Sequence, residues 1–175
     1  MSEQQRDYSL KSGERQFAER LQDIRGDHRN RYAFGLGYLP QTGFGLDLFC
    51  GNGYGSYMAA QRGHRMLAID ASREAIEAAC QHYLADGVFF CHREWPFTLP
   101  TSQFDFCFCL ESVEHVESGE GLVGAIAESL VPGGILVLST PNEELMPFRA
   151  TQHKFHMRHY TLDETFELVQ KAGFN

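Results

Sequence analysis

Residues 46–55 read Leu46-Asp47-Leu48-Phe49-Cys50-Gly51-Asn52-Gly53-Tyr54-Gly55, an apolar strand that runs into a G-x-G-x-G turn and then a helical segment. Glycines at such a junction let the backbone approach a ligand closely, and the helix start supplies N–H donors. The turn therefore predicts a site for a nucleotide-like ligand. A dinucleotide fingerprint needs G-x-G-x-x-G, but position 56 is Ser56, so that spacing fails. A phosphate loop needs Gly-Lys-Ser/Thr, which the sequence lacks. The next strand ends in Ala68-Ile69-Asp70, which sets a carboxylate about twenty residues after the turn, the place where a ribose diol is bound.

Outward from this loop, short apolar runs near 45–49, 66–69, 88–91, 104–110 and 135–139 alternate with helical or looped segments. That alternation predicts an α/β fold, a parallel sheet with helices on both faces. Helices are expected over 55–62, 72–83 and 119–130, with Pro132-Gly133-Gly134 ending the last and turning the chain into the fifth strand. Thr161 and Glu164 have capping-box spacing, so a further helix should run to Ala172 and stop at Gly173. The link 94–103 carries Pro96 and Pro100 and is too short for a crossover helix. Residues 1–40 read as an N-terminal helical extension or lid and 41–175 as the ligand-binding domain, one domain overall at 175 residues.

Composition narrows the class. With 43% hydrophobic and 22% charged residues the chain is globular, and no apolar run reaches the roughly 18–20 residues that span a bilayer. The polar N-terminus lacks a secretory signal, which predicts a cytoplasmic address. Cys50, Cys80, Cys91, Cys107 and Cys109 form no C-x-x-C pair and read as reduced packing residues. A net charge of -8 opposes non-specific contact with phosphate backbones and favours a small-molecule substrate over nucleic acid. His28, His64 and His82 read as solvated, and Trp95 and Phe97 as pocket-lining or loop-anchoring aromatics.

A second constellation follows the fourth strand. Glu111-Ser-Val-Glu114-His115 falls at the carboxyl edge, where open α/β sheets bind ligands, and positions three and four apart share one helical face. Two carboxylates and an imidazole make a divalent-metal half-site, and His153, His156 and His159 offer further imidazoles downstream.

Taken together, Asp47 to Gly55, Ile69-Asp70-Ala71-Ser72, Phe104-Asp105 before Glu111-x-x-Glu114-His115-Val116, and the run 130–142 resemble the class I, Rossmann-like S-adenosylmethionine-dependent methyltransferases. The similarity runs from Ser12 to Phe174, and Ser12-Gly13-Glu14-Arg15 with His28-Arg29-x-Arg31-Tyr32 is similar to a branch that modifies glycans and other small molecules. The resemblance implies that Asp47 and the backbone of Gly51, Asn52 and Gly53 hold the methionine part of S-adenosylmethionine, with S-adenosylhomocysteine as product. It implies that Asp70 holds the ribose, that Ala71 flanks the adenine, and that Arg93 and Leu110 lie beside the cofactor. Arg31 and Tyr32 would either close over the cofactor carboxylate or pack the extension. The loop Cys91-His92-Arg93-Glu94 departs from the family, which often places an adenine-binding acid there.

E-x-x-E-H with a late histidine is similar to the metal-assisted branch, which includes O-methyltransferases of ubiquinone biosynthesis and enzymes that modify the 2′-hydroxyl of small RNAs. The ligands implied are Glu111, Glu114, His115 and His156, with Mg, Mn or Zn as the ion and His115, Glu114 and His156 as catalytic groups. Aligning on Thr161 selects His156, whereas the local His-Lys-Phe string selects His153; His156 is preferred. The alternative is proximity catalysis with a histidine base and no metal. Three functions remain open: O- or N-methylation of a small molecule or glycan-related acceptor, RNA 2′-O-methylation aided by Arg149, Lys154 and Arg158, and an inactive cofactor-binding scaffold. The closing strands of the class I fold are missing after Asn175, so the fifth strand is expected to need cover, from missing sequence or from a homodimer partner.

Overall fold

The computed structural model describes residues 16–175. The expected similarity at Ser12-Gly13-Glu14-Arg15, and the start of the N-terminal extension, lie outside the described residues. Helix α1 spans Gly26–Leu36, and β1 (Phe44–Leu48) leads through the glycine loop into α2 (Tyr54–Ala60). Then come β2 (Arg65–Asp70), α3 (Arg73–His82), β3 (Val88–His92), β4 (Phe104–Leu110), α4 (Gly119–Ser129), β5 (Leu130–Ser139) and α5 (Leu162–Lys171).

The five strands form one sheet in the order β3-β2-β1-β4-β5, and every pairing is parallel. The chain moves outward from β1 to β3, then returns to the other side of β1 for β4. At that reversal the connections after β1 and β4 leave in opposite directions, which opens a crevice at the strands' carboxyl ends. The glycine loop and Glu111–His115 are the two segments that border it.

Alternating side chains load both sheet faces. On one, Met66, Phe106 and Phe108 meet Ile24, Tyr32 and Leu36 from the N-terminal extension and Tyr54 and Ala59 from α2. On the other, Leu46, Leu48, Cys107 and Cys109 meet Leu122, Val123 and Ile126 of α4 and Leu168 of α5. The extension is thus part of the core on one face. Tyr32 lies against the ring of Phe108, with centroids 5.1 Å apart, and covers Gly55 so closely that a Cβ there would overlap its ring.

Caps fall where the sequence places them. Ser72 Oγ accepts from Ala75 N at 3.2 Å at the start of α3, Thr161 and Glu164 form a reciprocal capping box on α5, and Gly173 ends that region at φ 95°. One boundary differs from expectation. Pro132-Gly133-Gly134 does not precede the fifth strand but lies within it, as a register shift between Phe104 paired with Leu130 and Phe106 paired with Ile135. Gly133 takes φ 80° there, which lets the strand absorb extra residues without losing its pairing. A second correction concerns His64, which is buried at 3% exposure with its ring 5.0 Å from that of Phe106, not solvated. Trp95 and Phe97 lie edge to face at 5.3 Å and pack against the core, which anchors the 94–103 loop.

None of the five cysteines forms a disulfide with another described residue. No described helix is long and apolar enough to cross a membrane. Among the described residues β5 pairs with β4 alone, and its outer side borders an apolar groove of about 580 Å³ lined by Leu136, Leu138, Phe166 and Phe174.

The contact between Tyr32 and Gly55 gives a direct test. Gly55→Val should destabilise the fold by about 1–3 kcal/mol through overpacking. Combined with Tyr32→Ala it should cost less than the sum of the two single changes in urea unfolding, whereas strict additivity would show that the ring does not cover Gly55.

Candidate active site

The glycine loop is built on left-handed backbone. Phe49, Gly51 and Gly53 have φ of 61°, 57° and 82°, so the chain turns sharply out of β1 before entering α2. A Cβ at Gly51 would meet nothing within 4 Å, so the loop presents open backbone to the crevice at that point. Opposite, Asp70 ends β2 and accepts from Gly51 N at 2.9 Å and from Ser72 N at 2.7 Å. One carboxylate thereby fixes both the loop and the start of α3.

Asp47 lies in the interior beneath the loop. It is fully buried, with its carboxylate held by Ser56 Oγ at 2.6 Å and by the Tyr32 hydroxyl at 3.1 Å, and it offers no accessible atom to a ligand. Burial pushes its pKa from the ordinary 3.8 up to about 7, while the bonds from Ser56 and Tyr32 pull the other way. Tyr32 likewise serves the interior, and Arg31 sits 3.5 Å from Glu111. Asn52 is buried beneath the loop, where its Nδ2 donates to the Ala18 carbonyl at 3.1 Å and its Oδ1 has no partner. Ala71 carries its carbonyl 3.0 Å from His92 Nε2, Arg93 is exposed with its guanidinium over Phe97, and Leu110 is half-buried at the end of β4.

The constellation after β4 comes together around three of its four expected members. Glu114, His115 and His156 each place one ligand atom within 4.8 Å of the others'. Glu111, the fourth expected ligand, lies outside that group. Its φ of 50° turns it back toward β5, where Oε1 accepts from Ser139 Oγ at 2.7 Å and Oε2 faces Arg31. The short 3-10 turn at Val113–His115, in place of an α-helical turn, is what separates position 111 from 114 and 115.

Glu114 is 1% exposed, accepts from Thr140 Oγ1 at 3.2 Å and has Oε1 4.0 Å from His115 Nε2. Its main-chain carbonyl accepts from Met157 N at 2.6 Å, which brings the histidine-rich segment to the crevice. His115 Nδ1 lies 3.1 Å from the Phe155 carbonyl. Burial, together with His115, His159 and His153 nearby, pushes the pKa of His156 down to about 4, so its ring is neutral at physiological pH. His153 is not one of the three; its ring stacks on that of His156 at 5.5 Å and its Nδ1 accepts from Arg149 N at 3.0 Å. Sequence reasoning missed Ser56, Ser139 and Thr140, the supports of these groups, and gave His159 only as a further imidazole; of the three missed, only Ser56 left a sign, as the residue that breaks the dinucleotide spacing.

A family profile described as a methyltransferase domain matches residues 16–175. The chain belongs to the class I methyltransferases. It is 36% identical to a ubiquinone biosynthesis O-methyltransferase of Xylella fastidiosa over 107 residues, which cover 59% of this chain and 44% of that protein. Its counterpart in Psychrobacter arcticus is 37% identical over 125 residues, 68% of this chain and 47% of the relative. The chain thus spans less than half the length of these curated relatives. Among solved structures, an S-adenosylmethionine-dependent methyltransferase from Mesorhizobium loti superposes with a TM-score of 0.73 at 20% identity, covering 83% of this chain and 81% of that one. In this methyltransferase domain the glycine loop and the Glu114 group therefore flank the crevice of a known fold.

The buried Asp47 makes stability depend on pH. A carboxyl whose folded pKa lies above its unfolded value favours the fold only while protonated, and that contribution is lost as pH rises from about 4 through about 7. The wild type should therefore lose several degrees of melting temperature relative to Asp47→Asn between pH 5 and pH 8. A difference that stays constant over this window would remove the buried-carboxyl account.

Proposed function

We propose that this methyltransferase domain binds S-adenosylmethionine over the glycine loop and transfers its methyl group to a hydroxyl of a small molecule. The observation that carries the reading is the convergence of Glu114, His115 and His156 at the carboxyl end of β4, across the crevice from Gly51 and Asp70. The open space at Gly51 and the Asp70 carboxylate fit the cofactor, and the donor set fits an acceptor that must lose a proton. A sulfonium already activates the methyl group, so the chain need only orient the acceptor and receive its proton. A neutral His156 or His115 takes the hydroxyl proton as the oxygen forms its bond to the methyl carbon, while the sulfur keeps the electron pair of the bond that breaks. Buried Glu114 stabilises the imidazolium that results.

One carboxylate oxygen and two imidazole nitrogens also fit a divalent cation. This set suits Zn or Mn better than Mg, which prefers all-oxygen ligands. Held there, such an ion would supply Lewis acidity that lowers the pKa of the acceptor hydroxyl. The names of the relatives, O-methyltransferases of ubiquinone biosynthesis, support a small-molecule hydroxyl acceptor. The net charge of -8 weighs against RNA, and of the cations near the site Arg158 is already engaged by Glu164 at 2.6 Å and by the Tyr160 ring. Five cysteines outside any disulfide suit a cytoplasmic setting.

Calorimetry should detect S-adenosylhomocysteine binding by the wild type, and Asp70→Asn should weaken it about tenfold or more, the loss of a charged hydrogen-bond partner. Equal binding by the variant would remove the ribose assignment. For the cation, Mn²⁺ titration followed by electron paramagnetic resonance should show one site that Glu114→Gln abolishes and Glu111→Gln leaves in place. Loss with Glu111→Gln as well would restore the four-residue ligand set.

A further inference from the structure

Behind Glu114 the imidazoles are tied to main-chain carbonyls in a fixed sequence. His159 is completely buried, with Nδ1 2.6 Å from the Met146 carbonyl and Nε2 2.6 Å from Nδ1 of His156. A carbonyl oxygen can only accept, so His159 must carry its proton on Nδ1. In a neutral ring Nε2 is then an acceptor, and the short contact to His156 requires His156 to donate from its own Nδ1. The same logic applies to His115, whose Nδ1 faces the Phe155 carbonyl. Phe155 and His156 are adjacent, so one short stretch of chain sets the tautomer of one ring and supplies the other.

We propose that His159 is a positioning residue that holds His156 as its Nδ1–H tautomer, so that Nε2 of His156 faces Glu114 and His115 as an electron-pair donor. Imidazole side chains in water favour the proton on Nε2, so a proton on Nδ1 in His115, His156 and His159 alike is a state the surroundings impose. The burial of His159 makes it durable. Its ring sits 5.6 Å from that of Phe148 and 4.6 Å from that of His153; the Met146 carbonyl and His156 are the hydrogen-bond partners of its two nitrogens, and Glu143 Oε2 lies farther off, 4.0 Å from Nδ1. A space-filling residue would not need both ring nitrogens in short bonds. What the arrangement provides is a nitrogen lone pair aimed at the site before any acceptor or cation arrives, which is how outer partners orient ligating histidines in metal and proton-transfer sites. The inference rests on the role given to Glu114, His115 and His156 in the preceding section.

The test starts with the wild type. Long-range proton–nitrogen NMR on metal-free, nitrogen-15 histidine-labelled protein should show His156 and His159 protonated on Nδ1 at neutral pH. A proton on Nε2 of His156 would overturn the proposal without any variant. Two substitutions then separate positioning from packing. His159→Gln retains an oxygen that can accept from His156, whereas His159→Leu has none. The leucine variant should move the His156 proton to Nε2 and weaken Mn²⁺ binding at least about tenfold, while the glutamine variant stays within about threefold of the wild type. S-adenosylhomocysteine affinity should be unchanged in both, which reports an intact domain. Equal losses in the two variants, or wild-type Mn²⁺ affinity in a folded His159→Leu, would reduce His159 to packing. Should the wild type bind no Mn²⁺, the cation is lost from the proposed function, and the His156 tautomer alone decides this inference.

Discussion

The reversal of strand order at β1 is the constraint on which the site depends. Because β2 and β4 flank β1 on opposite sides, the segments that leave β1 and β4 must diverge, and the gap between them cannot be filled by a crossover helix. Both chemistry-bearing stretches of the sequence fall on that gap. The glycine loop reaches it from β1, and Glu114 and His115 reach it from β4. The fold holds the two in place from beneath through Asp47, which ties α1 to α2 by way of Tyr32 and Ser56. A buried carboxylate is costly, and the raised pKa of Asp47 measures that cost. In return the extension, the glycine loop and the central strand are joined at one point.

Three acidic groups near the crevice illustrate how surroundings assign roles. Asp47 is sealed in and serves the scaffold. Asp70 grips two backbone amides and so fixes the glycine loop to the start of α3. Glu114 is buried, yet its neighbours include two imidazoles, so it faces groups that can exchange a proton or share a cation. The histidines are sorted in the same way: His115 and His156 belong to the site, His159 backs His156, and His153 closes a local turn.

Much of this was legible in the sequence, because the signals were local. The G-x-G-x-G turn, the carboxylate ending the second strand, the capping box at Thr161 and the alternation of apolar runs each follow from nearest-neighbour chemistry. The preference for His156 over His153 came instead from the resemblance, by aligning on Thr161. What could not be read depends on contacts between distant segments. Glu111 shares the spacing of a ligand, but a left-handed backbone and the Ser139 hydroxyl turn it away. Asp47 occupies a motif position that resembles a cofactor contact, but Tyr32, fifteen residues earlier, and Ser56 enclose it. The Pro132-Gly133-Gly134 bulge reads as a strand boundary until the register with β4 is seen. His159 was legible as one of three downstream imidazoles, but its place behind His156 was not, since its hydrogen-bond partners are a main-chain carbonyl and another histidine.

Hydrogen exchange by mass spectrometry, with and without S-adenosylhomocysteine, addresses the central claim most directly. If the ligand lies in the crevice between β1 and β4, protection should appear in the peptides covering 50–56, 70–73 and 110–115 together, and the groove beside β5 and α5 should exchange as before. Protection confined to that groove, or none at the glycine loop, would contradict the account.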